Sequence, residues 1–580
     1  MNNSNLDAIN ISKSSQIIIT SALPYANGEI HLGHISSTYL PADIFRRFLK
    51  LSGKKVVHIC ASDDYGTPIL IKSEQEKKSP KDFVKYWNQR DFEDLSSLNI
   101  IFNKFYMTSS KENKELVQHV FNKLYNNGHI YEKNVIQFFC EFDNKFLPDR
   151  YVVGTCPNCK AINQYSDLCE KCGKVPDNII DPKCWICKKE PIKKESTHYF
   201  FKLSNFSEKI KEWLVSNKNL KLDIKNYVLN WIEEGLQDWD ITRDLSWGIP
   251  IPIKDENNGT GLENNEKVFY GWFDNHLCYI STFEKLMQEY NINNGKKVWN
   301  ESLIYHFIGK DIVYHHYLFL PAIRIGIDLE YKLPDYIPVR GHLMLHNEKI
   351  SKSRNWYIGI KEFISYFDQD YLRFYITSIS TFNQDDINFD WDSFSEKINS
   401  GLIDNIGNFI NRTLSFTVKT FHSIVPTSDD SLFDEYDKES IKKIKNIHFV
   451  VGKYLESLEM DKGLQEILRF SNYFNEYFQK KQPWKNTEES KKSTIFISIN
   501  AVRSLAILLE PFIPKSAEKI WTQLNLEGNV HQQEWSSISE LNIKGNHTIQ
   551  NKIRPLFKKI EKQEIQVQKE KLGEIKQVNK

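Results

Sequence analysis

A strand, a turn, a helix and a second strand follow one another near the start of this chain, and this pattern constrains the fold most. The β-branched run Gln16 to Ala22 predicts a buried strand, and turn residues follow from Pro24 to Gly28. Apolar residues recur at helical spacing from Gly33 to about Leu51, and Val56 to Cys60 predicts the second strand. Strands joined by a crossover helix are parallel, so the sequence predicts an α/β domain.

The string His31-Leu32-Gly33-His34 lies where the first strand leads into the N-terminus of the helix. Backbone N–H groups and the helix dipole favour anions there, and open α/β sheets bind their ligands at that edge. Glycine at position 33 lets the backbone approach a nucleotide closely. The motif therefore indicates a phosphate site. For this motif alone, a turn with two surface histidines is the alternative.

A second basic signature, Lys349-Ile350-Ser351-Lys352-Ser353, lies in a polar stretch from Asn347 to Asn355 that predicts a loop. Such a loop can fold over a polyphosphate, where its ammonium groups meet the charge that moves onto a leaving pyrophosphate. Alone, this motif would favour a solvated basic loop. Together, the two signatures predict one nucleoside triphosphate site in an ATP-using enzyme.

The composition is that of a globular protein with several domains, since the 580 residues include 40% hydrophobic and 26% charged side chains. With a net charge of +1, any contact with RNA must rely on local basic patches. Met1 to Ser15 contains no apolar run and is poor in arginine, so neither a secretory nor a transit peptide is predicted. No membrane span is predicted, because Glu510 and Pro511 interrupt the apolar run Leu505 to Leu509. We expect a cytoplasmic protein.

Cysteine spacing predicts a metal site. Two CxxC pairs separated by nine residues suit tetrahedral zinc, and thiols stay reduced in a cytosolic protein. Four protein ligands close such a site, so we expect one zinc ion with a structural role; redox-active or unliganded cysteines are the alternative. A third pair, Cys184 and Cys187, has no evident partners, although Cys140 and His198 are available. The predicted ligands are Cys156, Cys159, Cys169 and Cys172.

Three further features indicate binding sites. Asp63 follows the second predicted strand, where a carboxylate can hold a substrate ammonium group or simply cap a turn. From about residue 400 the pattern becomes helical, and Asn408 and Arg412 are one helical turn apart. Trp484 follows Pro483 and is flanked by lysines, which is typical of a platform for an unpaired base. Core packing of Trp484 is the alternative.

The two signatures together resemble those of the class I aminoacyl-tRNA synthetases. The strings Ala22-Leu23-Pro24-Tyr25-Ala26-Asn27-Gly28 and Phe307-Ile308-Gly309-Lys310-Asp311 are similar to the methionyl-tRNA synthetase family in particular, and the resemblance extends from about residue 16 to the C-terminus. It implies an α/β fold with a Rossmann-like parallel-sheet catalytic domain, split by a zinc-knuckle insertion and followed by an α-helical anticodon-binding bundle. The implied parts are a first catalytic half (1–130), the insertion (131–240), a second catalytic half (241–345), a KMSKS-type loop and stem-contact region (346–399), the anticodon-binding domain (400–540) and a tail helix docking back on the body (541–580).

The resemblance also implies an activity and its residues. The activity is formation of methionyl-adenylate from L-methionine and ATP, with Mg²⁺, and transfer to the 3′ end of tRNA(Met), including the initiator. The implied catalytic residues are His31, His34, Arg243, Lys349 and Lys352, with Arg243 beside the adenylation transition state. The implied ATP site is His31, Gly33, His34, Gly309, Asp311, Lys349, Ser351, Lys352 and Ser353. The implied methionine pocket is Leu23, Tyr25, Asp63, Trp272, Tyr279 and His316, where Asp63 holds the α-amino group. Asn408, Arg412 and Trp484 would read the CAU anticodon.

The chain departs from the family's pattern in the implied methionine pocket. Asn275 and His276 stand where Ala-Pro is usual, Cys278 replaces a glycine, and His315 occupies an aromatic or apolar place. A thioether pocket selects by shape and dispersion, so polar side chains at its wall are expected to weaken selectivity. Two alternatives stay open: another class I synthetase for an apolar amino acid, and a drifted non-catalytic tRNA-binding relative. Longer relatives carry a tRNA-binding dimerisation module after the C-terminal tail, which begins at about Lys552 here, so a monomer is predicted.

Overall fold

The computed structural model describes residues 16–167, 169, 171–172, 174–176, 178–254, 261–352 and 354–572. A five-stranded sheet organises the first part of the chain, and all its neighbouring strands are parallel. The predicted α/β class is therefore confirmed. In spatial order the strands are Val339–Arg340, Leu303–Gly309, Ile17–Ser21, Val56–Ser62 and Lys104–Met107. Because the first strand of the chain pairs with Leu303–Gly309, much of the intervening chain is an insertion between two halves of one sheet.

Alternate residues of the central strand face two different cores. Ile17 and Ile19 belong to the core that holds the helix Leu40–Leu51, whereas Ile18 packs in the core of the helix Gly271–Glu289. Helices thus cover both faces of the sheet, and every residue of Ile17–Ser21 is buried. This double burial explains the unbroken β-branched run that the sequence shows there.

The helix predicted from Gly33 to Leu51 is present but changes its winding. It begins as the α-turn Leu32–His34, widens into the π-helix Ile35–Tyr39 and continues as Leu40–Leu51. Leu40 N–H donates to Ile35 O, five residues back, just before Pro41, which has no N–H to donate. A second π-helix, His315–Phe319, precedes Pro321 in the same way. Such π turns occur frequently at functional sites, and both of these border the cleft described below.

The insertion is built from small antiparallel sheets. A four-stranded sheet has the order Trp239–Asp240, Ile192–Phe201, Ile130–Cys140 and Lys145–Phe146. A three-stranded sheet has the order Gln164–Tyr165, Val152–Thr155 and Ile180–Cys184. The chain returns through the sheet Thr242–Arg243, Gly261–Phe269 and Pro250–Lys254. Short strands and close turns of this kind bring the clustered cysteines together.

Helices make up most of the remaining structure. Those that accompany the sheets are Thr67–Gln75, Pro80–Ser97, Lys111–Asn126, Ser207–Ser216, Leu222–Glu234, Gly295–Glu301, Leu320–Gly326, Ile360–Tyr366 and Gln369–Ile379. Those that follow in the C-terminal part are Trp391–Lys397, the π-helix Ile398–Gly407, Asn408–Phe421, Glu435–Glu456, Met460–Lys481, Glu488–Leu509, Pro514–Gln523 and Lys562–Glu570. The signature loop belongs to the sheet Glu348–Lys349, Leu343–Leu345 and Ile387–Phe389. The helical character predicted from about residue 400 is confirmed.

The helix Glu488–Leu509 forms the centre of the C-terminal bundle. By length and composition alone it is apolar enough to cross a membrane, which corrects the expectation that no segment reaches that length. However, 89% of its apolar window is buried inside the structure, as in a core helix. The tail helix Lys562–Glu570 packs on the body through buried Ile565, and Lys569 Nζ lies 2.5 Å from Asp392 Oδ2.

A buried ion network joins the parallel sheet's first helix to the bundle. Asp43 accepts hydrogen bonds from Arg47 and pairs with Arg373, each at 2.8 Å, and Arg47 also contacts Glu510 at 2.6 Å. Burial raises the pKa of Asp43, but the two guanidinium groups outweigh it and hold the pKa at about 2. The two parts also share apolar packing, since the rings of Phe48 and Trp535 are 5.1 Å apart.

Candidate active site

The carboxyl ends of the central strands open into a cleft of about 510 Å³. Both basic signatures reach it, although hundreds of residues separate them in the sequence. Ser351 and Arg243 do not line the cleft, and Ser353 lies outside the described residues. The predicted residues that line it are Leu23, Tyr25, His31, Gly33, His34, Asp63, Trp272, Tyr279, Gly309, Asp311, His316, Lys349 and Lys352.

His31 and His34 are fixed by a reciprocal cap at the start of the helix. Gly33 N–H donates to His31 Nδ1, and His31 N–H donates to His34 Nδ1, both at 3.2 Å. Burial, with Lys352 as a further cause, lowers the pKa of His34 to about 4, and burial and His34 hold the pKa of His31 well below its usual value. Each ring is therefore neutral near pH 7 and carries its proton on Nε2. Two N–H donors beside a helix N-terminus are suited to phosphate oxygens.

Two glycines of the cleft lie close against neighbouring side chains. A Cβ atom on Gly33 would lie 3.0 Å from the His31 ring, and one on Gly309 would lie 2.5 Å from Asp311 Oδ1. Any larger residue would displace the histidine cap or the aspartate. The need for glycine here is one of space around the neighbouring side chains.

The signature loop brings positive charge to the same cleft. A Cβ atom on Gly28 would lie 3.4 Å from both Lys352 Nζ and Lys72 Nζ, so two ammonium groups approach one strip of backbone. Burial and Lys72 lower the pKa of Lys352 to about 8. A cationic group that is held partly desolvated beside another cation is suited to an anionic ligand. Ser351 is held by its backbone, which exchanges two 2.9 Å hydrogen bonds with Trp356.

Arg243 is held away from the cleft by two carboxylates. Its guanidinium lies 3.3 Å from Asp240 and 3.5 Å from Asp149, and it stacks 3.9 Å above the centre of the Tyr270 ring. Tyr270 comes two residues before Trp272, which lines the cleft. The role that the resemblance implies for Arg243 requires this pairing to open.

Asp63 places a carboxyl group in the cleft, directly after the strand Val56–Ser62. Its N–H donates to Pro24 O at 2.8 Å, which ties it to the segment after the first strand. Burial and Asp64 raise the pKa of Asp63 to about 8. Burial and Asp63 likewise raise the pKa of Asp274, on the helix Gly271–Glu289. Within the described part of the chain, no basic side chain pairs with Asp63, so this region is suited to a ligand that carries a positive charge.

His316 supplies an uncharged ring to the same region. Its Nδ1–H donates to Ile312 O at 3.1 Å, which leaves Nε2 to accept a 3.1 Å hydrogen bond from the Tyr279 hydroxyl. Burial lowers the pKa of His316 to about 4. With Leu23 and Trp272, the fixed tyrosine and histidine form a mostly apolar surface beside the Asp63 carboxyl.

Of the four departures in this region, only Asn275 lines the cleft. His315 stacks on Trp272 with ring centres 3.5 Å apart and planes 7° from parallel, and it lies 5.0 Å from the Trp239 ring. Burial lowers the pKa of His315 to about 3, so it stacks as a neutral aromatic ring. His276 and Cys278 lie behind the wall, where both are almost fully buried. Of the four residues that depart from the family's pattern, Asn275 is thus the one that brings a polar side chain to the pocket wall.

Sequence reasoning missed His342, which also lines the cleft. It follows the strand Val339–Arg340, and its Nε2 lies 3.6 Å from Asp311 Oδ1. The signal was available, because this histidine stands at the carboxyl end of a parallel strand. The strand itself is only two residues long, which hid it in the sequence.

Two side-chain clusters in the insertion could hold a metal ion. In each cluster the possible ligand atoms all lie within 4.8 Å of one another. His198 is not part of either, because it hydrogen-bonds Thr242 and Asp244, each at 2.9 Å. The second cluster shows where the unmatched pair of cysteines finds partners, which include an aspartate that sequence reasoning missed. The clusters are Cys156, Cys159, Cys169 and Cys172, and Cys140, Asp143, Cys184 and Cys187.

The residues predicted to contact RNA lie together on the bundle. The Arg412 guanidinium lies 5.1 Å from the centre of the Phe478 ring and 5.9 Å from the centre of the Trp484 ring. Trp484 is 44% exposed. Arg412 donates to Gln479 and Asn408 donates to Asn475, both at 3.0 Å. Asn475 and Gln479 share one face of the helix Met460–Lys481, so two facing helices present a row of amides beside an exposed indole.

Comparison with known proteins matches both parts of the chain to family models. Residues 17–414 match the family described as tRNA synthetases class I (M), and residues 437–578 match the anticodon-binding domain of tRNA ligase. A methionine--tRNA ligase of Methanopyrus kandleri is 40% identical over 535 residues, which cover 90% of this chain and 77% of that protein. One of Methanobrevibacter smithii is 41% identical over 564 residues, covering 96% and 82% respectively.

Solved structures agree in fold. The crystal structure of Mycobacterium tuberculosis methionyl-tRNA synthetase bound by methionyl-adenylate superposes with a TM-score of 0.76, over 94% of this chain and 100% of that one. At 20% identity this likeness concerns the fold alone. The family models and the curated relatives cover most of the chain, and by them this chain belongs to the methionine--tRNA ligase family of class I tRNA synthetases.

Proposed function

We propose that this chain activates L-methionine with ATP and transfers the methionyl group to the 3′ end of tRNA(Met). The observation that carries the proposal is one cleft with two kinds of charge requirement. Neutral N–H donors and ammonium groups face it from His31, His34 and Lys352, and a buried carboxyl faces it from Asp63. A triphosphate and an amino acid are a pair of ligands that would satisfy both.

In the first step, a carboxylate oxygen of methionine attacks the α-phosphorus of ATP, and the bond from that phosphorus to the pyrophosphate oxygen breaks. His31 and His34 donate hydrogen bonds to phosphate oxygens, and Lys349 and Lys352 meet the negative charge that develops on pyrophosphate. Mg²⁺ would enter with ATP and offset the charge of its phosphates. Since positioning and electrostatics suffice, no covalent enzyme nucleophile is assigned.

In the second step, a terminal ribose hydroxyl of tRNA attacks the methionyl carbonyl and AMP leaves. Asp63 would hold the α-ammonium group in both steps, while Leu23, Tyr25, Trp272, Tyr279 and His316 surround the thioether side chain. Arg243 would join the site only after leaving Asp149 and Asp240. Gly309 and Asp311 would face the nucleotide.

Recognition of tRNA is proposed for the bundle face around Trp484. The exposed indole would stack on an anticodon base, and the Arg412 guanidinium would add charge beside it. Asn408 would read a base edge, with Asn475 holding its amide in place. The tRNA(Met) anticodon is the expected target.

Zinc is proposed for both clusters of the insertion. Four thiolates are the ligand set of a closed structural zinc site, and three thiolates with one carboxylate are also ligands that zinc accepts. The sequence predicted one ion per chain; the second cluster raises the proposal to two. Both would stabilise the insertion and take no part in the chemistry.

We also propose an oligomeric state and a cellular location. We expect a monomer, which light scattering at micromolar concentration would test, and a cytoplasmic location. The second candidate function is that of a class I synthetase for another apolar amino acid. The observation that favours it is the polar side chain of Asn275 at the pocket wall.

The decisive experiment is ATP–pyrophosphate exchange with a panel of amino acids, followed by aminoacylation of tRNA(Met). Methionine alone should support rapid exchange, and tRNA(Met) should then be charged. Exchange driven by another apolar amino acid would replace the substrate assignment. The absence of exchange with every amino acid would refute the enzymatic proposal.

A further inference from the structure

The amino-acid region contains a buried acceptor that the mechanism above leaves unused. Asn275, on the helix Gly271–Glu289, lines the cleft with 8% of its surface exposed. No described residue donates a hydrogen bond to its side-chain oxygen, Oδ1. Burial of an amide oxygen without a partner costs free energy, so a ligand that donates to it is favoured.

The same side chain contacts the carboxylate proposed to bind the α-ammonium group. Both residues line the cleft, and a Cβ atom on Gly271, one helical turn before Asn275, would lie 3.9 Å from Asp63 Oδ1. As a hydrogen-bond donor, the Asn275 amide favours the ionised form of Asp63, against the larger effect of burial on its pKa. In the ionised form of Asp63, which is the form that binds an ammonium group, the donor of that bond is the amide nitrogen, since a carboxylate can only accept. The unpartnered oxygen of the same amide therefore lies next to Asp63 within the cleft.

The two residues that flank Asn275 in the helix, Asp274 and His276, do not offer a similar acceptor to the cleft. Asp274 is fully buried and is not among the lining residues, although its carboxyl belongs to the same helix turn. His276 is almost fully buried behind the wall. Asn275 is also one of the positions at which the sequence departs from the family's pattern, where a small apolar residue would supply no acceptor.

We propose that Asn275 Oδ1 is a second acceptor for the α-ammonium group of the substrate, beside the Asp63 carboxylate. This inference rests on the proposed function. An ammonium group has three N–H donors, and Asp63 with Asn275 can accept two of them at once. The polar residue at the wall therefore serves the constant part of the amino acid and leaves selection of the side chain to Tyr279, His316 and Trp272.

A matched pair of ligands tests this assignment without catalysis. L-methioninol and 4-(methylthio)butan-1-ol differ only in the ammonium group, and calorimetry on the full chain would measure the affinity for each. Asn275→Ala is expected to weaken methioninol binding about 10- to 100-fold, the loss typical of one hydrogen bond to a charged group. Binding of the uncharged ligand should change less than about twofold, since it makes no such bond.

A second variant separates the hydrogen bond from the shape of the pocket. Asn275→Leu keeps a side chain of similar size and removes both amide groups, so it should reproduce the selective loss seen with alanine. Equal weakening of both ligands in both variants would show that Asn275 only shapes the pocket, and would overturn the inference. Unchanged methioninol affinity would overturn it as well.

Wild-type exchange activity distinguishes failure of this inference from failure of the proposed function. If methionine supports ATP–pyrophosphate exchange and the variants lose no ammonium selectivity, only the role of Asn275 is refuted. If the wild-type chain supports no exchange with methionine, the proposed function fails, and the assignment of Asn275 fails with it.

Discussion

The affinity for methionine should depend strongly on pH, because binding requires the charged form of a buried carboxyl group. Burial and Asp64 raise the pKa of Asp63 to about 8. Asp63 is therefore mostly protonated at pH 7. A substrate ammonium group favours the ionised carboxylate, so methionine binding must release this proton. A carboxyl with a raised pKa gains charge as pH rises, and the affinity should rise with it until about pH 8.

The size of the effect follows from the ionised fraction. With a pKa of about 8, this fraction increases from about 1% at pH 6 to about 50% at pH 8. The affinity for methionine should then increase about 50-fold, which corresponds to about 2.3 kcal/mol. His34, with a pKa of about 4, and His31, whose pKa is also far below its usual value, stay neutral across this range. The substrate's ammonium group stays charged.

Calorimetric titration with L-methionine, in the absence of ATP, would measure both the affinity and the protons released. Buffers of different ionisation enthalpy should report a release of about 0.9 proton per site at pH 7. Asp63→Asn keeps the shape and removes the charge, so its weaker binding, measured by competition, should not vary between pH 6 and pH 8. A wild-type affinity as independent of pH as that of the variant would refute the reasoning.

Three other perturbations address separate parts of the chain. Lys352→Ala should lower the rate of pyrophosphate exchange about 10²- to 10³-fold and leave the dissociation constant for tRNA unchanged. The control variant Lys361→Ala, at an exposed position on the helix Ile360–Tyr366, should change neither quantity. Metal analysis should find two zinc ions per wild-type chain and one in Cys187→Ser; a single ion in both would contradict the second site. Asp43→Asn removes the carboxylate that pairs with Arg373 and leaves Glu510 as the remaining carboxylate beside Arg47. It should lower the free energy of unfolding in urea by about 3–5 kcal/mol, and an unchanged midpoint would refute that role.

Much of the fold follows from local patterns in the sequence. The run Gln16 to Ala22 is β-branched because its strand is covered on both faces, and burial of that kind is visible without coordinates. The strand Val339–Arg340 could not be found in this way, since two residues carry no periodicity. The π-helix Ile35–Tyr39 was also not predicted, because its wider turn depends on where Pro41 falls relative to the packed face.

The candidate site divides in a similar way. Residues whose role depends on local electrostatics can be recognised from the sequence alone, as with His31 and His34 at a helix N-terminus, where anions bind. Contacts between distant segments cannot, and the location of His315 shows this. The sequence indicates only a polar replacement near the pocket, whereas the structure buries the ring flat against Trp272 as a neutral aromatic group. Asp143 was missed for the same reason, since only the fold brings it to Cys184.

Burial shifts the pKa values of two groups in the cleft toward their neutral forms. Burial raises the pKa of Asp63 to about 8 and, with Lys72, lowers the pKa of Lys352 to about 8. Each substrate stabilises the charged form of its partner: the ammonium group of methionine favours ionised Asp63, and the phosphates of ATP favour protonated Lys352. Binding of methionine should therefore release a proton, and binding of ATP should take one up. Near pH 8 the proton released by methionine binding and the proton taken up by ATP binding cancel when both substrates bind. The equilibrium constant for forming the ternary complex should then depend least on pH, although the affinity for each substrate alone still changes with pH.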